Sequence, residues 1–287
     1  MCDKMKKYLI FTVASLLLMP SCLTKKEKPG ELTRTSGEVK LVTLDPGHFH
    51  AALVQKNSYK QVADEVYVYA PEGDDVQEHL NKINGYNTRT DSPTKWKEVV
   101  YLGSDFLEKM LSEKKGNVMI TAGNNGKKTE YIKQTLMAGI HVLADKPMAI
   151  NSENFGLLKE CFDIARGKGI LLYDIMTERH EITTVLQREL SCIPAVYGEQ
   201  LKGTPEEPAI VKESVHHFFK VVSGTPLKRP AWFFDVNQQG EGIVDVMTHL
   251  VDLVQWEAFP EQVIDYTQDI ELLDANRWTT SISPEEF

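Results

Sequence analysis

The residues HVLADKP, His141 to Pro147, are the stretch from which the fold can be read. His141 to Leu143 form a short apolar run of the kind that makes a buried strand in a parallel sheet. Lys146 follows that run closely and is fixed in place by Pro147. Because α/β sheets bind ligands at the carboxyl ends of their strands, this pattern predicts that Lys146 lies in a binding or reaction site.

Apolar runs alternate with helical patterns along the chain on both sides of this stretch. The predicted strands are Val39–Leu44, Val66–Ala70, Val99–Leu102, Val118–Thr121, His141–Leu143 and Ile170–Tyr173. The predicted helices are Phe49–Gln55, Asp75–Ile83, Ser104–Leu111, Lys127–Ala138 and Ser152–Ala165. This alternation predicts an α/β domain over residues 39–173, a doubly wound parallel sheet with helices on both faces.

Composition and charge narrow the class of protein. The 287 residues are 42% hydrophobic and 25% charged, which is typical of a folded chain with one or two ordinary cores. The formal net charge of -9 and the lack of a Lys/Arg stripe argue against nucleic acid as a partner. A small molecule is therefore the expected ligand.

The first residues have the order of a secretory signal. Lysines between residues 4 and 7 precede an apolar run, Tyr8 to Met19, and Cys22 follows. This order resembles the signal of bacterial lipoproteins, in which the cysteine becomes the lipidated N-terminus, although Met19 and Pro20 depart from the strict pattern. We expect a signal peptide over residues 1–22, lipidation at Cys22, a tether over 23–38, and an exported protein held by its lipid in the periplasm or at the cell envelope. Plain secretion and an uncleaved anchor are the alternatives.

The loop after the first strand reads DPGHFHAA, Asp45 to Ala52. In dinucleotide-binding proteins this loop holds the pyrophosphate through the pattern GxGxxG/A, of which only the middle glycine, Gly47, is present. A helix that begins near Phe49 would offer free N–H groups to a phosphate. His48 or His50, if protonated, would offset the charge of the aspartate. Gly47 to His50 are therefore candidate cofactor contacts, on a weak fingerprint.

Glu72 follows the second predicted strand, about 20 residues beyond the glycine loop. An acidic residue at that position binds a ribose hydroxyl, which favours NAD over NADP. A solvated loop charge is the alternative reading of Glu72.

No metal site is expected from the sequence. His48 and His50 have the spacing of a metal-binding pair, but no acidic or cysteine ligand lies near them at a usable spacing. Cys161 and Cys192, the cysteines beyond the predicted signal, show no paired spacing either.

A second candidate site lies far along the chain. Gly240 to Gly242 open a predicted helix from Ile243 to Trp256. Asp245 and His249 are four residues apart and therefore share one face of that helix. The pair indicates a site, and a core histidine satisfied by Asp245 is the alternative.

Together these motifs resemble the Gfo/Idh/MocA family, the sugar and polyol oxidoreductases related to glucose-fructose oxidoreductase and inositol dehydrogenase. The family segment TPN…H…AL.AGKHVL.EKP is similar to TAGNN at Thr121–Asn125 followed by LMAGIHVLADKP at Leu136–Pro147. The resemblance extends from about Val39 to Trp256, and it also covers a lipoprotein-bearing branch of the family. It implies a Rossmann-like cofactor domain followed by an α+β substrate domain over residues 174–287.

The resemblance also implies roles for single residues. Lys146 matches the family lysine that contacts both the nicotinamide ribose and the substrate hydroxyl. Asp245 and His249 match the residues that complete the catalytic site. Asn125, with its neighbour Asn124, matches the amide position near the cofactor, and Asp145 stands where the family has glutamate.

The implied reaction exchanges a hydride between a nicotinamide cofactor and a hydroxyl or keto carbon of a sugar, polyol or glycoside. His249 would act as the base with Asp245 orienting its ring, and Lys146 would stabilise the developing alkoxide. The cofactor would be NAD rather than NADP, and export would require that it is tightly held. NAD-assisted glycoside cleavage through a keto sugar, or a non-catalytic sugar-binding lipoprotein that has lost the cofactor, are the alternatives.

Four further residues are weaker candidates for substrate binding. Tyr173 and Arg179 flank the end of the sixth strand, although a salt-bridged helix start would explain Arg179 equally well. His217 lies in a β-type run in which alternate side chains face opposite sides of a sheet. Trp232 belongs to an aromatic cluster that could stack on a sugar or pack in a core.

The resemblance implies an open, mainly antiparallel sheet in the second domain. Three segments there have strand patterns: Ala195–Lys202, Val211–Val222 and Gln262–Leu272. The sheet could be incomplete, which would leave an edge open. Homo-oligomerisation through this sheet, common in the family, is therefore an uncertain expectation.

Overall fold

The computed structural model describes residues 35–176, 178–214, 220–222, 224–227, 229–281 and 283. The predicted signal peptide, Cys22, most of the tether and His217 lie outside the described residues. Within them, each helix is too short or too polar to span a membrane.

A six-stranded parallel sheet dominates the structure, in the order β3-β2-β1-β4-β5-β6. Its strands are β1 (Leu41–Leu44), β2 (Glu65–Ala70), β3 (Lys97–Leu102), β4 (Val118–Thr121), β5 (His141–Ala144) and β6 (Leu172–Asp174). The helices that connect them are α1 (His50–Leu53), α2 (Asp74–Thr88), α3 (Phe106–Glu113), α4 (Asn125–Met137) and α5 (Ser152–Lys168). The predicted doubly wound sheet is confirmed, with α1 shorter and α2 longer than expected.

The core lies on both faces of this sheet. Alternation along β1 sends Leu41 to one cluster and Val42 and Leu44 to the other. One cluster includes residues of α3, α4 and α5, and the other includes residues of α1 and α2. Among the described residues, every buried apolar side chain lies between Leu41 and Leu172. The apolar core therefore belongs to the parallel sheet and its helices.

The C-terminal part consists mostly of short helices. They are α6 (Ile182–Ser191), α7 (Pro194–Tyr197), α8 (Val236–Gln239), α9 (Gly242–Asp245) and α10 (Met247–Ala258), with 3-10 turns at Glu178–His180 and Ala231–Phe234. An antiparallel sheet is present, but in the described segments it is one pair of two-residue strands, β7 (Val221–Val222) and β8 (Thr225–Pro226). The predicted continuous helix from Ile243 to Trp256 is interrupted at Val246.

Two of the predicted C-terminal strands are wrong. Residues 195–197 are helical in α7, where Pro194 occupies the first turn and supplies a backbone angle suited to a helix start. Residues 262–272 contain neither strand nor helix, and Val263 is 97% exposed. In the third segment, the described residues form a strand only at Val221 and Val222. Apolar side chains in these segments imitate a strand pattern, but a strand also needs a neighbour to bond to.

The loop after β1 crosses the end of β4. The backbone N–H groups of Gly47 and His48 both donate to the carbonyl oxygen of Ala122, at 2.7 and 3.0 Å. A Cβ on Gly123 would lie 2.7 Å from the Cα of Gly47, so the crossing requires glycine at that position. It carries His48 across β4 toward the end of β5.

We predict that Gly123→Ala destabilises the protein more than Gly139→Ala does. Both glycines have positive φ, 94° and 85°, but a Cβ on Gly139 meets nothing within 4 Å. The control therefore measures the backbone cost alone, about 1 kcal/mol, and the clash at Gly123 should add a further ~1–3 kcal/mol. Urea unfolding of both variants gives the difference, and equal losses would contradict the close crossing.

Candidate active site

The strand register brings three chain segments to one edge of the sheet. Leu44, Thr121 and Ala144 are level with one another across β1, β4 and β5. The loops that follow these strands therefore leave the same edge side by side, at the point where the strand order changes direction. Ligands of such sheets bind at that point.

Lys146 is held by a buried ion pair with Asp245. Its Nζ donates to Asp245 Oδ1 at 2.7 Å and to the carbonyl oxygen of the same residue at 2.8 Å. Both residues are less than 8% exposed. The pair joins the end of β5 to the last residue of α9, so it links the sheet domain to the C-terminal part.

His249 has a different partner from the one predicted. The sequence pattern predicts Asp245 as the residue that orients its ring, but the structure places Glu178 Oε2 2.6 Å from His249 Nδ1. The prediction is wrong because the carboxylate of Asp245 is directed to Lys146. Glu178 was not predicted, because it lies in a short turn whose sequence matches no motif.

A cavity of about 240 Å³ brings these groups together. Its lining includes His48, His50, Lys146, Glu178, Asp245 and His249. The three predicted catalytic residues therefore share one cavity with both histidines of the glycine loop.

Asp145 contacts both of these loop histidines. Its two carboxylate oxygens lie 2.8 Å from His48 Nδ1 and 2.7 Å from His50 Nδ1. Burial alone would raise the pKa of the Asp145 carboxyl, but the two imidazoles hold it well below its ordinary value. Burial lowers the pKa of His48 to about 4 against the opposing effect of Asp145. The aspartate that replaces the family glutamate thus anchors the loop histidines.

The glycine loop is covered by an aromatic side chain. A Cβ on Gly47 would lie 2.9 Å from Cζ2 of Trp232, whose indole N–H donates to Asp75 Oδ2 at 2.7 Å. Trp232, predicted to bind substrate, therefore lies over the position predicted for the pyrophosphate.

Asp45 has a conformation that explains why this loop position usually carries glycine. Its φ is 46°, in the left-handed region, and its carboxylate accepts hydrogen bonds from Asn124 Nδ2 and from the Tyr131 hydroxyl. These bonds stabilise a backbone shape that glycine would adopt freely.

The predicted cofactor amides are engaged within the protein. Asn125 Nδ2 donates to the carbonyl oxygen and to Oε1 of Gln239, at 2.9 and 3.1 Å, and Asn124 Oδ1 accepts from Gln238. These three bonds tie the start of α4 to α8. A cofactor contact by either asparagine would require these bonds to rearrange.

Lys128 is a buried residue that the sequence analysis did not identify. Its Nζ donates to Asn125 Oδ1 at 2.6 Å and to the carbonyl oxygens of Asp145 and Pro147 at 3.1 Å each. All three donors of the ammonium are therefore used. Burial lowers the pKa of Lys128 to about 8. It fixes the backbone on both sides of Lys146.

The remaining predicted residues lie further out. Arg179 forms a two-bond ion pair with Asp252 of α10, the salt-bridged alternative of the sequence analysis. Tyr173 is 60% exposed beside a separate shallow hollow. Glu72 lines a cavity of about 240 Å³ after β2, on the same sheet edge as the glycine loop.

Three neighbouring cavities that share lining residues follow the sheet edge. The cavity beside Glu72 comes first, one of about 530 Å³ beside Gly47 and His48 comes next, and the cavity of Lys146 comes last. The residues present fit a nicotinamide dinucleotide along this edge, on the condition that Trp232 moves aside for the pyrophosphate to reach Gly47.

The strand order and the loop at its switch point define a Rossmann-type dinucleotide-binding domain with a C-terminal part that completes the site. Residues 48–173 match the family model described as oxidoreductase family, NAD-binding Rossmann fold, and residues 186–287 match a model for an oxidoreductase C-terminal domain. The chain belongs to the Gfo/Idh/MocA family of oxidoreductases.

Solved structures agree with this assignment. A protein from Parabacteroides merdae, described as an oxidoreductase, is 76% identical over 88% of this chain and 58% of its own, with a TM-score of 0.84. A candidate oxidoreductase from Thermotoga maritima shares the fold (15% identity, 77% of this chain and 59% of its own, TM-score 0.54). So does a candidate myo-inositol dehydrogenase from Sinorhizobium meliloti (11% identity, 78% of this chain and 56% of its own, TM-score 0.50). This chain spans less than three-fifths of the length of each of these proteins. A search of curated proteins finds no match.

We predict that Lys128→Met destabilises the protein by about 2–4 kcal/mol, because three buried oxygens lose their donor. Lys133→Met is the matched control on the same helix, since Lys133 forms a surface ion pair with Glu160. That change should cost less than ~1 kcal/mol. Denaturant unfolding measures both, and a small loss at Lys128 would show that it does not brace the segment around Lys146.

Proposed function

We propose that this protein is a nicotinamide-dependent oxidoreductase that acts on a hydroxyl or keto carbon of a sugar, polyol or glycoside. The observation that carries the proposal is the convergence of Lys146, Asp245 and His249 on one cavity at the carboxyl edge of the sheet. Family membership supports the reaction class, and the likeness in fold to an inositol dehydrogenase is compatible with a polyhydroxylated substrate.

Lys146 is suited to bind the reacting oxygen. An ammonium has three N–H donors, and Asp245 accepts two bonds from this one. The third is left for a substrate oxygen within the cavity. Because Asp245 fixes the ammonium before substrate binds, Lys146 can stabilise an alkoxide without reorganisation.

His249 is suited to exchange a proton with the same oxygen. The carboxylate of Glu178 beside Nδ1 favours the tautomer that carries its proton there, which leaves Nε2 as the base. Glu178 would also stabilise the imidazolium after proton transfer. In this proposal Asp245 positions Lys146, and Glu178 takes the role of orienting His249 that was predicted for Asp245.

A bound nicotinamide would supply the hydride acceptor or donor that this site lacks. Glu72 lines the cavity after β2, where its carboxylate would accept a hydrogen bond from a ribose hydroxyl. An acidic residue at this position favours NAD over NADP. The same three residues, Lys146, Asp245 and His249, would also serve glycoside cleavage through a keto sugar. In an exported protein, the reaction would call for a tightly held cofactor.

One observation favours a second candidate function, sugar binding without catalysis. Trp232 lies over Gly47 and is bonded to Asp75, so the loop is closed to a pyrophosphate in this conformation. A protein that kept this closure permanently would bind sugar but no dinucleotide.

Cofactor binding separates the two candidates. The protein is purified, denatured, and assayed for released nicotinamide cofactor, and NAD and NADP are titrated by calorimetry. Bound or titratable NAD supports the oxidoreductase. Failure to bind either dinucleotide contradicts it and leaves the sugar-binding candidate.

We predict that Lys146→Ala and His249→Ala each lower turnover of a confirmed substrate by about 10²–10⁴-fold. Lys127→Ala and His180→Ala are matched controls, since both residues are exposed and lie outside the cavity. Circular dichroism checks that each variant is folded. Full activity in both cavity variants would exclude these residues from catalysis.

We propose further that the protein is exported and lipid-anchored at Cys22, as the order of its first residues indicates. Cys22→Ser should then abolish labelling by a fatty-acid analogue and release the protein from the membrane fraction. Cys192→Ser is the control. Unchanged labelling in the Cys22 variant would rule out this anchor.

A further inference from the structure

We propose that His48, His50 and Asp145 form a binding site for one divalent transition-metal ion of the zinc class. One ring nitrogen from each histidine and a carboxylate oxygen of Asp145 lie within 4.8 Å of one another. Two imidazoles and one carboxylate are a ligand set that zinc sites use when a fourth position stays open for water or substrate.

The third ligand is supplied by the sheet. His48 and His50 are two residues apart, but Asp145 is 95 residues further along the chain than His50. The crossing of the β1 loop over Ala122 brings the histidines to the end of β5. The acidic ligand that is missing near the histidines in the sequence is therefore supplied by Asp145 in the folded protein.

The geometry of the cluster suits an ion. The separations from Nδ1 to the carboxylate oxygens, 2.7 and 2.8 Å, are hydrogen-bond lengths. A tetrahedral ion with ligand bonds of about 2.0–2.2 Å needs ligand atoms about 3.3–3.6 Å apart, so each ring nitrogen and the carboxylate would have to separate by roughly half an ångström or more to admit it. Both Nδ1 atoms face the same carboxylate, while the two rings are 4.3 Å apart and inclined by 68°.

The two lysines near the cluster bind other groups and not the Asp145 carboxylate. Lys146 is ion-paired with Asp245, and Lys128 donates to the backbone oxygen of Asp145. Asp145 and His50 are buried, at 2% and 6% exposure, so few waters compete for the ion.

The open side of the site faces the cavity of Lys146 and His249. His48 and His50 both line that cavity. An ion there would present its free position to the same space that the proposed substrate enters. The metal site does not depend on the proposed reaction, because its ligands differ from the proposed catalytic residues.

Metal binding is tested on the full chain without cofactor or substrate. The protein is stripped with a chelator, titrated with Zn²⁺ by calorimetry, and titrated with Co²⁺ while its visible absorption is recorded. We expect one ion per chain, and a spectrum without a thiolate-to-cobalt band. Wild-type protein that binds no ion would overturn the proposal.

Variants locate the ion. His48→Ala and His50→Ala should each weaken Zn²⁺ binding at least tenfold, by analogy with the 10–100-fold losses seen when groups around a metal site are removed. His180→Ala is the matched histidine control, and Cys192→Ser controls for binding at the exposed thiol. Wild-type affinity and stoichiometry in both loop variants would contradict the assignment.

Loss of fold in a variant is distinguished by a measurement on the unaltered chain. Zn²⁺ should raise the melting temperature of the wild-type protein in proportion to the logarithm of its concentration above Kd. The His180 variant should show the same shift. No shift would show that the cluster is held by hydrogen bonds alone.

Discussion

Two consecutive residues at the end of β5 hold the site together by facing different partners. Asp145 fixes the glycine-loop histidines, and Lys146 fixes Asp245 at the end of α9. One dipeptide thus positions both the loop that would meet the cofactor and the helices that would meet the substrate. Lys128 keeps the dipeptide in place by binding the backbone on either side of Lys146. Each of these charges is buried and partnered, and loss of one partner would leave another charge uncompensated.

Buried hydrogen bonds and an ion pair join the C-terminal part to the sheet domain. Its described residues contribute no buried apolar side chain, while Gln239 and Asp245 are buried and bonded to Asn125 and Lys146. Hydrogen bonds and ion pairs are directional, so they fix the orientation of α8 and α9 more strictly than apolar packing would. The site therefore lies in an interface whose geometry depends on the same residues that would carry the reaction.

Strands and helices could be predicted from periodic patterns in the sequence. Contacts between residues far apart in the chain could not. Six apolar runs with intervening helices define the parallel sheet, and the end of β5 could be assigned before the structure was known. The partner of His249 could not be predicted, because the carboxylate of Asp245 is paired with Lys146 and a short turn supplies Glu178 instead. Lys128 gave no signal either, since a buried lysine has the same helical spacing as an exposed one. The C-terminal strands failed for a related reason, because apolar alternation does not specify whether a neighbouring strand is present.

The departure of the glycine loop from its usual pattern has a physical explanation. The first glycine of the pattern normally supplies a left-handed backbone, and here Asp45 adopts φ 46° with Asn124 and Tyr131 bonded to its carboxylate. The close backbone approach that glycine permits is kept at Gly47, and Gly123 permits the loop to pass over β4. The third position carries His50, whose imidazole is bonded to Asp145 and not packed as a small residue would be. Of the three pattern positions, one is thus stabilised by side-chain bonds at Asp45, one keeps its glycine at Gly47, and one carries an imidazole bonded to Asp145. Side chains of Asn124, Tyr131 and Asp145 thus hold this loop in place. Two histidine nitrogens are directed at one carboxylate, an arrangement that phosphate binding alone would not need.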